Sequence, residues 1–203
     1  MEPAVQVESL RDLSSWGWYN SAVPVDTRLT YDDYCLLPNN GKRYEIVEGE
    51  LFVTPSPRRA HQNVVTQLSY HLVEFVRRER RGTVYVAPFA VVFSLHDVVE
   101  PDILYVSKER ASVVTEKNVQ GAPDLVVEVL SETTAEIDRT TKLKLYARHG
   151  VQEYWLIDPE ACSAEIYRRE TRGFERVASL ESSDSLTTPL LPGFSVPLRE
   201  LVG

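Results

Sequence analysis

Two carboxylates stand where the hydrophobic pattern has no place for them. The run Asp124-Leu125-Val126-Val127-Glu128-Val129-Leu130 is almost continuously apolar, the mark of a strand buried on both faces. Glu128 lies inside it, and a lone buried carboxylate is costly unless it is paired or bound to a cation. Alternation puts Asp124, Val126, Glu128 and Leu130 on one face. A second run, Pro101-Asp102-Ile103-Leu104-Tyr105-Val106, opens on Asp102 and is otherwise apolar. On neighbouring strands the two acids can meet and take a hard cation; Mg2+ favours such oxygen ligands and keeps several waters. The bland alternative is that Glu128 pairs with a basic side chain from a covering helix and Asp102 merely starts a strand.

A lysine further along the chain bears on that choice. Projecting the helical segment 135–149 at 3.6 residues per turn places Ala135, Lys142, Leu143, Leu145 and Tyr146 on one broad arc. Thr140, Thr141, Lys144 and Arg148 fall opposite, and Ile137 breaks the pattern. Lys142 therefore faces the sheet and Lys144 faces water. A sheet-facing lysine can orient a nucleophilic water or simply neutralise buried carboxylates.

The elements that must position these groups follow from turn chemistry and periodicity. Thr30-Tyr31-Asp32-Asp33 has capping-box spacing and opens a short helix ending near Pro38. Tyr44–Val47 and Glu50–Val53 form a hairpin around Glu48-Gly49, and Pro55 and Pro57 stop it. From His61 to Arg80, Val64, Val65, Leu68, Leu72, Phe75 and Val76 recur at helical spacing, with Gly82 as the stop. Three strands are predicted over 84–93, 102–106 and 125–130, then the lysine helix with Gly150 behind it. Tyr154–Ile157 turns through Asp158-Pro159 into a partner strand, Ala164–Arg168. The tail to Gly203 reads as a Pro-rich loop with room for one edge strand. Residues 1–24 read as an N-terminal arm whose Trp16, Trp18 and Tyr19 pack against something, and residues 25–203 as one domain around a mixed sheet.

Composition sets the outer bounds. The chain has 203 residues, 43% of them hydrophobic and 26% charged, as expected of an ordinary globular domain. Thirty acidic against 22 basic residues give a net charge of -8, which works against phosphate binding except through a local basic strip. Arg77, Arg78, Arg80 and Arg81 offer such a strip, although a basic run is usually a solvated helix end. Cys35 and Cys162 lie far apart in no metal-ligand spacing and read as reduced thiols. The N-terminal residues lack an apolar signal core, and no run approaches the roughly 18 apolar residues of a membrane span. A cytoplasmic protein without membrane contact is expected. No Gly-rich phosphate loop and no nucleophile elbow occur.

Several stretches resemble a bacterial family known as "putative restriction endonuclease". They are Lys42–Leu51 followed by Pro57 and His61; Glu100-Pro101-Asp102; Pro123–Ser131; Asp138-Arg139-Thr140-Thr141-Lys142; and Tyr146–Pro159. The resemblance covers about residues 28–170 in order, and its motifs are those of the PD-(D/E)XK nuclease superfamily. It implies an α/β, restriction-endonuclease-like fold, a mixed central β-sheet flanked by helices. It also implies an endonuclease that hydrolyses DNA phosphodiesters with Mg2+ or Mn2+, and it is compatible with a homodimer. By position, Asp102 is the aspartate of the Pro-Asp motif and Glu128 the second acid. Glu45 and His61 occupy the family's early acidic and histidine positions. The superfamily lysine belongs two residues after the second acid, where this chain has Leu130, so Lys142 would be a migrated substitute.

On this reading Asp102, Glu128 and the Val129 carbonyl hold the metal. Lys142 orients or deprotonates the attacking water, and Glu45 positions the first metal or binds a second. His61 aligns with Val65 and Leu68 and points inward; it can be a site residue or a satisfied core histidine. Two other classes remain open. One is a catalytically silent binding or assembly module keeping the same fold, which the acidic charge favours. The other is a metal-free enzyme using paired carboxylates, for example on glycosides.

Overall fold

The computed structural model describes residues 27–202, so the proposed arm at 1–24, with Trp16, Trp18 and Tyr19, lies outside the described residues. Thr30 caps α1 (Tyr31–Cys35) with the reciprocal capping box its spacing predicted: the Thr30 hydroxyl accepts from the Asp33 N–H while the Asp33 carboxylate accepts from the Thr30 backbone. Strands β1 (Arg43–Val47) and β2 (Glu50–Thr54) pair antiparallel. Glu48 and Gly49, with φ of 54° and 85°, form the two-residue turn between them, and such turns need positive φ at both central positions. Helix α2 (Arg59–Glu79) buries His61, Val64, Leu68, Leu72, Phe75 and Val76 every three or four residues. It ends one step earlier than Gly82 suggested, because Arg80 itself takes the left-handed conformation (φ 53°). Gly82 is needed for another reason: a Cβ there would collide with the Val106 carbonyl oxygen.

The single strand expected over 84–93 is two strands, β3 (Gly82–Val86) and β4 (Val91–Ser94), which belong to different sheets. Pro88 lies between them and has no N–H to continue a ladder. Next come β5 (Asp97–Val99), which the sequence reading did not resolve, and β6 (Ile103–Ser107), so Asp102 sits just ahead of its strand. A 3-10 turn over Lys108–Val113 leads to β7 (Val119–Gln120) and β8 (Leu125–Val129). The lysine helix is not uniform. It begins as α3 (Ala135–Ile137), widens into a π turn over Asp138–Lys142, and resumes as α4 (Leu143–His149), which Gly150 caps with φ 94°. Strand β9 (Glu153–Asp158) pairs with β10 (Ser163–Glu170) as expected. The tail is not a loop: β11 (Gly173–Leu180), β12 (Ser185–Thr187), β13 (Ser195–Pro197) and α5 (Arg199–Val202) fill it. Pro189, Pro192 and Pro197 beside the short strands β12 and β13 made that stretch read as loop.

Two sheets therefore replace the one expected, with a two-stranded ribbon of β12 and β13 beside them. The larger is mixed, in the order β11-β10-β9-β8-β6-β3, with β8 and β9 parallel and its other pairs antiparallel. One face packs Ile103, Tyr105, Leu125, Val127 and Trp155 against α2 and the C-terminal segment. The opposite face packs Leu104, Val106, Val126, Tyr154 and Leu156 against Leu145 and Tyr146 of α4 and against the five-stranded sheet β2-β1-β5-β4-β7. β6 and β8 are neighbours, with Leu104 opposite Val126. Glu128, two residues past Val126, thus faces the layer that contains α4 and β1. Fold position alone now decides which side chains can reach it.

Candidate active site

Six pieces of chain converge on an open cleft of about 280 Å³: β1, the segment leading into the first turn of α2, the turn before β6, the end of β8 with the residues after it, the π turn, and the turn between β9 and β10. Arg43, His61, Asp102, Glu128, Asp138 and Lys142 line it. The strand neighbours bring Asp102 and Glu128 together, as their runs predicted. Both are 2% exposed.

Asp102 is held from three directions. Oδ1 accepts from the Arg43 guanidinium at 2.8 Å; Oδ2 accepts from the Val129 backbone N–H at 2.8 Å and lies 3.0 Å from His61 Nε2. Burial opposes its ionisation, but His61, Arg43 and the Val129 N–H outweigh burial and lower its pKa to about 2. His61 projects from the first turn of α2, so the inward histidine reaches the site rather than only the core. Its Nδ1 is buried without a hydrogen-bond partner.

Glu128 is arranged differently. Its Oε1 accepts from the Lys142 ammonium at 3.1 Å and the Tyr146 hydroxyl at 2.6 Å, while Oε2 has no partner among the described residues. Burial first, then the nearby Asp138, Asp102 and Glu45 carboxylates, push its pKa upward against the pull of Lys142. The Lys142 ammonium also touches Glu45 Oε2 at 2.8 Å and Asp138 Oδ1 at 3.4 Å. The other Glu45 oxygen accepts from the Glu100 backbone N–H at 2.9 Å, which fixes that carboxylate between β1 and the turn before β6. Burial would lower the Lys142 pKa, yet Glu128, Glu45 and Asp138 raise it well above the ordinary value. An ammonium so held has no lone pair, so the deprotonating role expected for Lys142 does not fit its surroundings. The exposed Lys144 lies outside the cluster, as the helical projection required.

Charge explains what the cleft can accommodate. Glu45, Asp102, Glu128 and Asp138 are all buried, and among the described residues Arg43 and Lys142 are the arginine and lysine paired with them. That imbalance suits a hard divalent ion, for which Asp102 and Glu128 offer carboxylate oxygens and Val129 lines the same wall. Asp102 would have to exchange its Arg43 or His61 contact to ligate. Among the described residues no three or more His, Cys, Asp or Glu are arranged to hold a metal ion as they stand, the carboxylates gathered on Lys142 included, so water and substrate would supply the remaining positions.

Four participants escaped the sequence reading: Arg43, Glu100, Asp138 and Tyr146. Arg43 shares the inward face of β1 with Glu45 by simple alternation, a signal that was available. Asp138 stands four residues before Lys142, a spacing that usually marks a solvated pair but here is buried. The arginine run sits elsewhere. Arg77, Arg78, Arg80 and Arg81 lie at the C-terminal end of α2, while the cleft takes the N-terminal end, roughly 25–30 Å away at 1.5 Å per residue. Arg78 is already paired with Glu74 and Glu79.

A mixed sheet with acids entering from adjacent strands and a basic helix over them defines a restriction-endonuclease-like fold. The comparisons agree. Residues 31–199 match the Uma2 family model, described as "Putative restriction endonuclease", and the chain belongs to that family. A crystal structure from Anabaena variabilis ATCC 29413, described as "a putative nuclease belonging to DUF820", superimposes with a TM-score of 0.72 at 20% identity, covering 86% of this chain and 97% of that one. The type IIG restriction endonuclease BpuSI aligns over 73% of this chain and 17% of its own, with a TM-score of 0.41 at 14% identity, too loose to support any argument. No curated protein sequence matches the chain. No helix among the described residues is long and apolar enough to cross a membrane.

Proposed function

We propose that the chain is a divalent-metal-dependent endonuclease that hydrolyses DNA phosphodiesters in this cleft, its domain spanning residues 25–203 behind an N-terminal arm. We place its work in the cytoplasm, in keeping with the free thiols of Cys35 and Cys162. The observation that carries the activity is the meeting of Asp102 and Glu128 in an open cleft whose buried negative charge exceeds its positive charge. Asp102, Glu128 and the Val129 carbonyl would hold Mg2+ or Mn2+. Such an ion, when bound, polarises a phosphoryl oxygen and lowers the pKa of a bound water.

The chain's own groups then have separable tasks. Val129 N–H, Arg43 and His61 fix Asp102 before any ligand arrives, which removes the cost of ordering it at the moment of reaction. The Tyr146 hydroxyl and the Lys142 ammonium fix Glu128 through one oxygen. Glu45 anchors Lys142. Arg43 and Lys142 offset charge that builds on phosphate oxygens. His61 presents Nε2 to Asp102 and so helps to orient that carboxylate.

The rival, a silent module with the same fold, draws on the net charge of -8. One assay separates them: incubation of purified protein with supercoiled plasmid in Mn2+, Mg2+ or EDTA. Cutting with either ion and none in EDTA is expected. Asp102→Asn and Glu128→Gln should each abolish cutting with circular dichroism unchanged. Persistent cutting by either variant would remove these residues from the site.

A further inference from the structure

Lys142 has more carboxylate around it than one ammonium can neutralise. Three oxygens from three carboxylates surround Nζ at 2.8, 3.1 and 3.4 Å, and they arrive from separate elements: Glu45 on β1, Glu128 on β8 and Asp138 on the π turn. Each is buried, and the Lys142 side chain is only 6% exposed. Asp138 Oδ1 meets no hydrogen-bond donor of its own, although it lies within ion-pair distance of the ammonium. A lysine that merely balanced Glu128 would need neither Glu45 nor Asp138.

Glu128 belongs to both halves of the cluster. Its Oε1 faces Lys142, and its Oε2 is unpartnered among the described residues on a side chain that lines the cleft with Asp102. A carboxylate shared between two cation positions is how two-ion sites are built, with the ions about 3.5–4 Å apart.

We propose that the Lys142 ammonium occupies the position of a second metal ion, in a cage of Glu45, Glu128 and Asp138, so that the site takes one divalent ion. Asp138 is then a working member of the site, and the early acid Glu45 serves the internal cation instead of a second metal. The inference rests on the metal-dependent reading above, but it can fail separately.

Calorimetric titration of the metal-free protein with Mn2+ tests it, on wild type, Lys142→Ala, Lys142→Ala with Asp138→Asn, and Lys142→Ala with Asp102→Asn. Thermal denaturation of each confirms folding. Wild type should bind one ion per chain and Lys142→Ala two. Asp138→Asn should weaken the gained site at least tenfold, and Asp102→Asn should remove the original site while sparing the gained one. Two ions in wild type, or one in folded Lys142→Ala, would overturn the proposal. If Lys142→Ala does not fold, the wild-type count decides alone: one ion upholds the proposal and two overturn it. No ion in wild type with one in Lys142→Ala would uphold the cage and defeat the metal site at Asp102.

Discussion

Replacing Lys142 by methionine keeps the length of the side chain and removes its charge. The ammonium touches Glu45, Glu128 and Asp138 at 2.8, 3.1 and 3.4 Å inside the protein. Removing one partner from a buried ionic network typically costs about 3–5 kcal/mol, because the remaining charges stay buried without compensation. For a domain of this size each kcal/mol lowers Tm by about 2–4 °C, so Lys142→Met should melt roughly 6–20 °C below wild type without metal. The loss should grow with pH. Glu128 and Asp138 already have raised pKa values, so at pH 5 they can take up protons when the ammonium is gone, and at pH 8 they cannot do so as readily. Lys144→Met, on the exposed side, should stay within about 0.5 kcal/mol of wild type. Urea denaturation at both pH values measures all of this. A loss under 1 kcal/mol at Lys142, or an equal loss at Lys144, would refute the cage.

Two other predictions concern regions away from that lysine. Asp97 is buried and accepts from the Glu48 N–H, the Ser94 hydroxyl, Arg148 and the His149 ring; burial opposes its ionisation, but these partners lower its pKa. A depressed carboxylate stabilises the fold above its unfolded pKa of about 3.9 and loses that contribution as pH falls further, so Asp97→Asn should cost about 1.5–3 kcal/mol at pH 7 and flatten the acid limb of the stability curve. An unchanged acid limb in pH-dependent denaturation would contradict this. If the arginine run serves as the phosphate footprint, converting Arg77, Arg80 and Arg81 to Gln should flatten the salt dependence of DNA binding by up to about 3 in log-log slope. An unchanged slope in fluorescence anisotropy would move the footprint to the rim of the cleft.

The carboxylates were legible because they violate local pattern. Glu128 interrupts an apolar strand, and Lys142 falls on the sheet-facing arc whether the turn is α or π. The contacts of Arg43 and Tyr146 were not: alternation puts Arg43 on the face of Glu45 without naming its partner, and Tyr146 sits on an apolar helix face for ordinary packing reasons. Their bonds to Asp102 and Glu128 span 59 and 18 residues of sequence, and no local pattern encodes such a contact. Glu153 shows the same limit. It is fully buried and accepts from Trp155 Nε1, Arg168 and Thr188, the last of them in the tail that the sequence reading took for loop. The division of 84–93 into two sheets was missed because a run of β-formers around Pro88 reads the same in one strand as in two.

Anomalous diffraction from crystals grown with Mn2+ tests the central claim most directly. It should show one peak per chain in the cleft, between the carboxylates of Asp102 and Glu128, with Lys142 still in its cage. A cleft without a peak in crystals that bind Mn2+ elsewhere would contradict it.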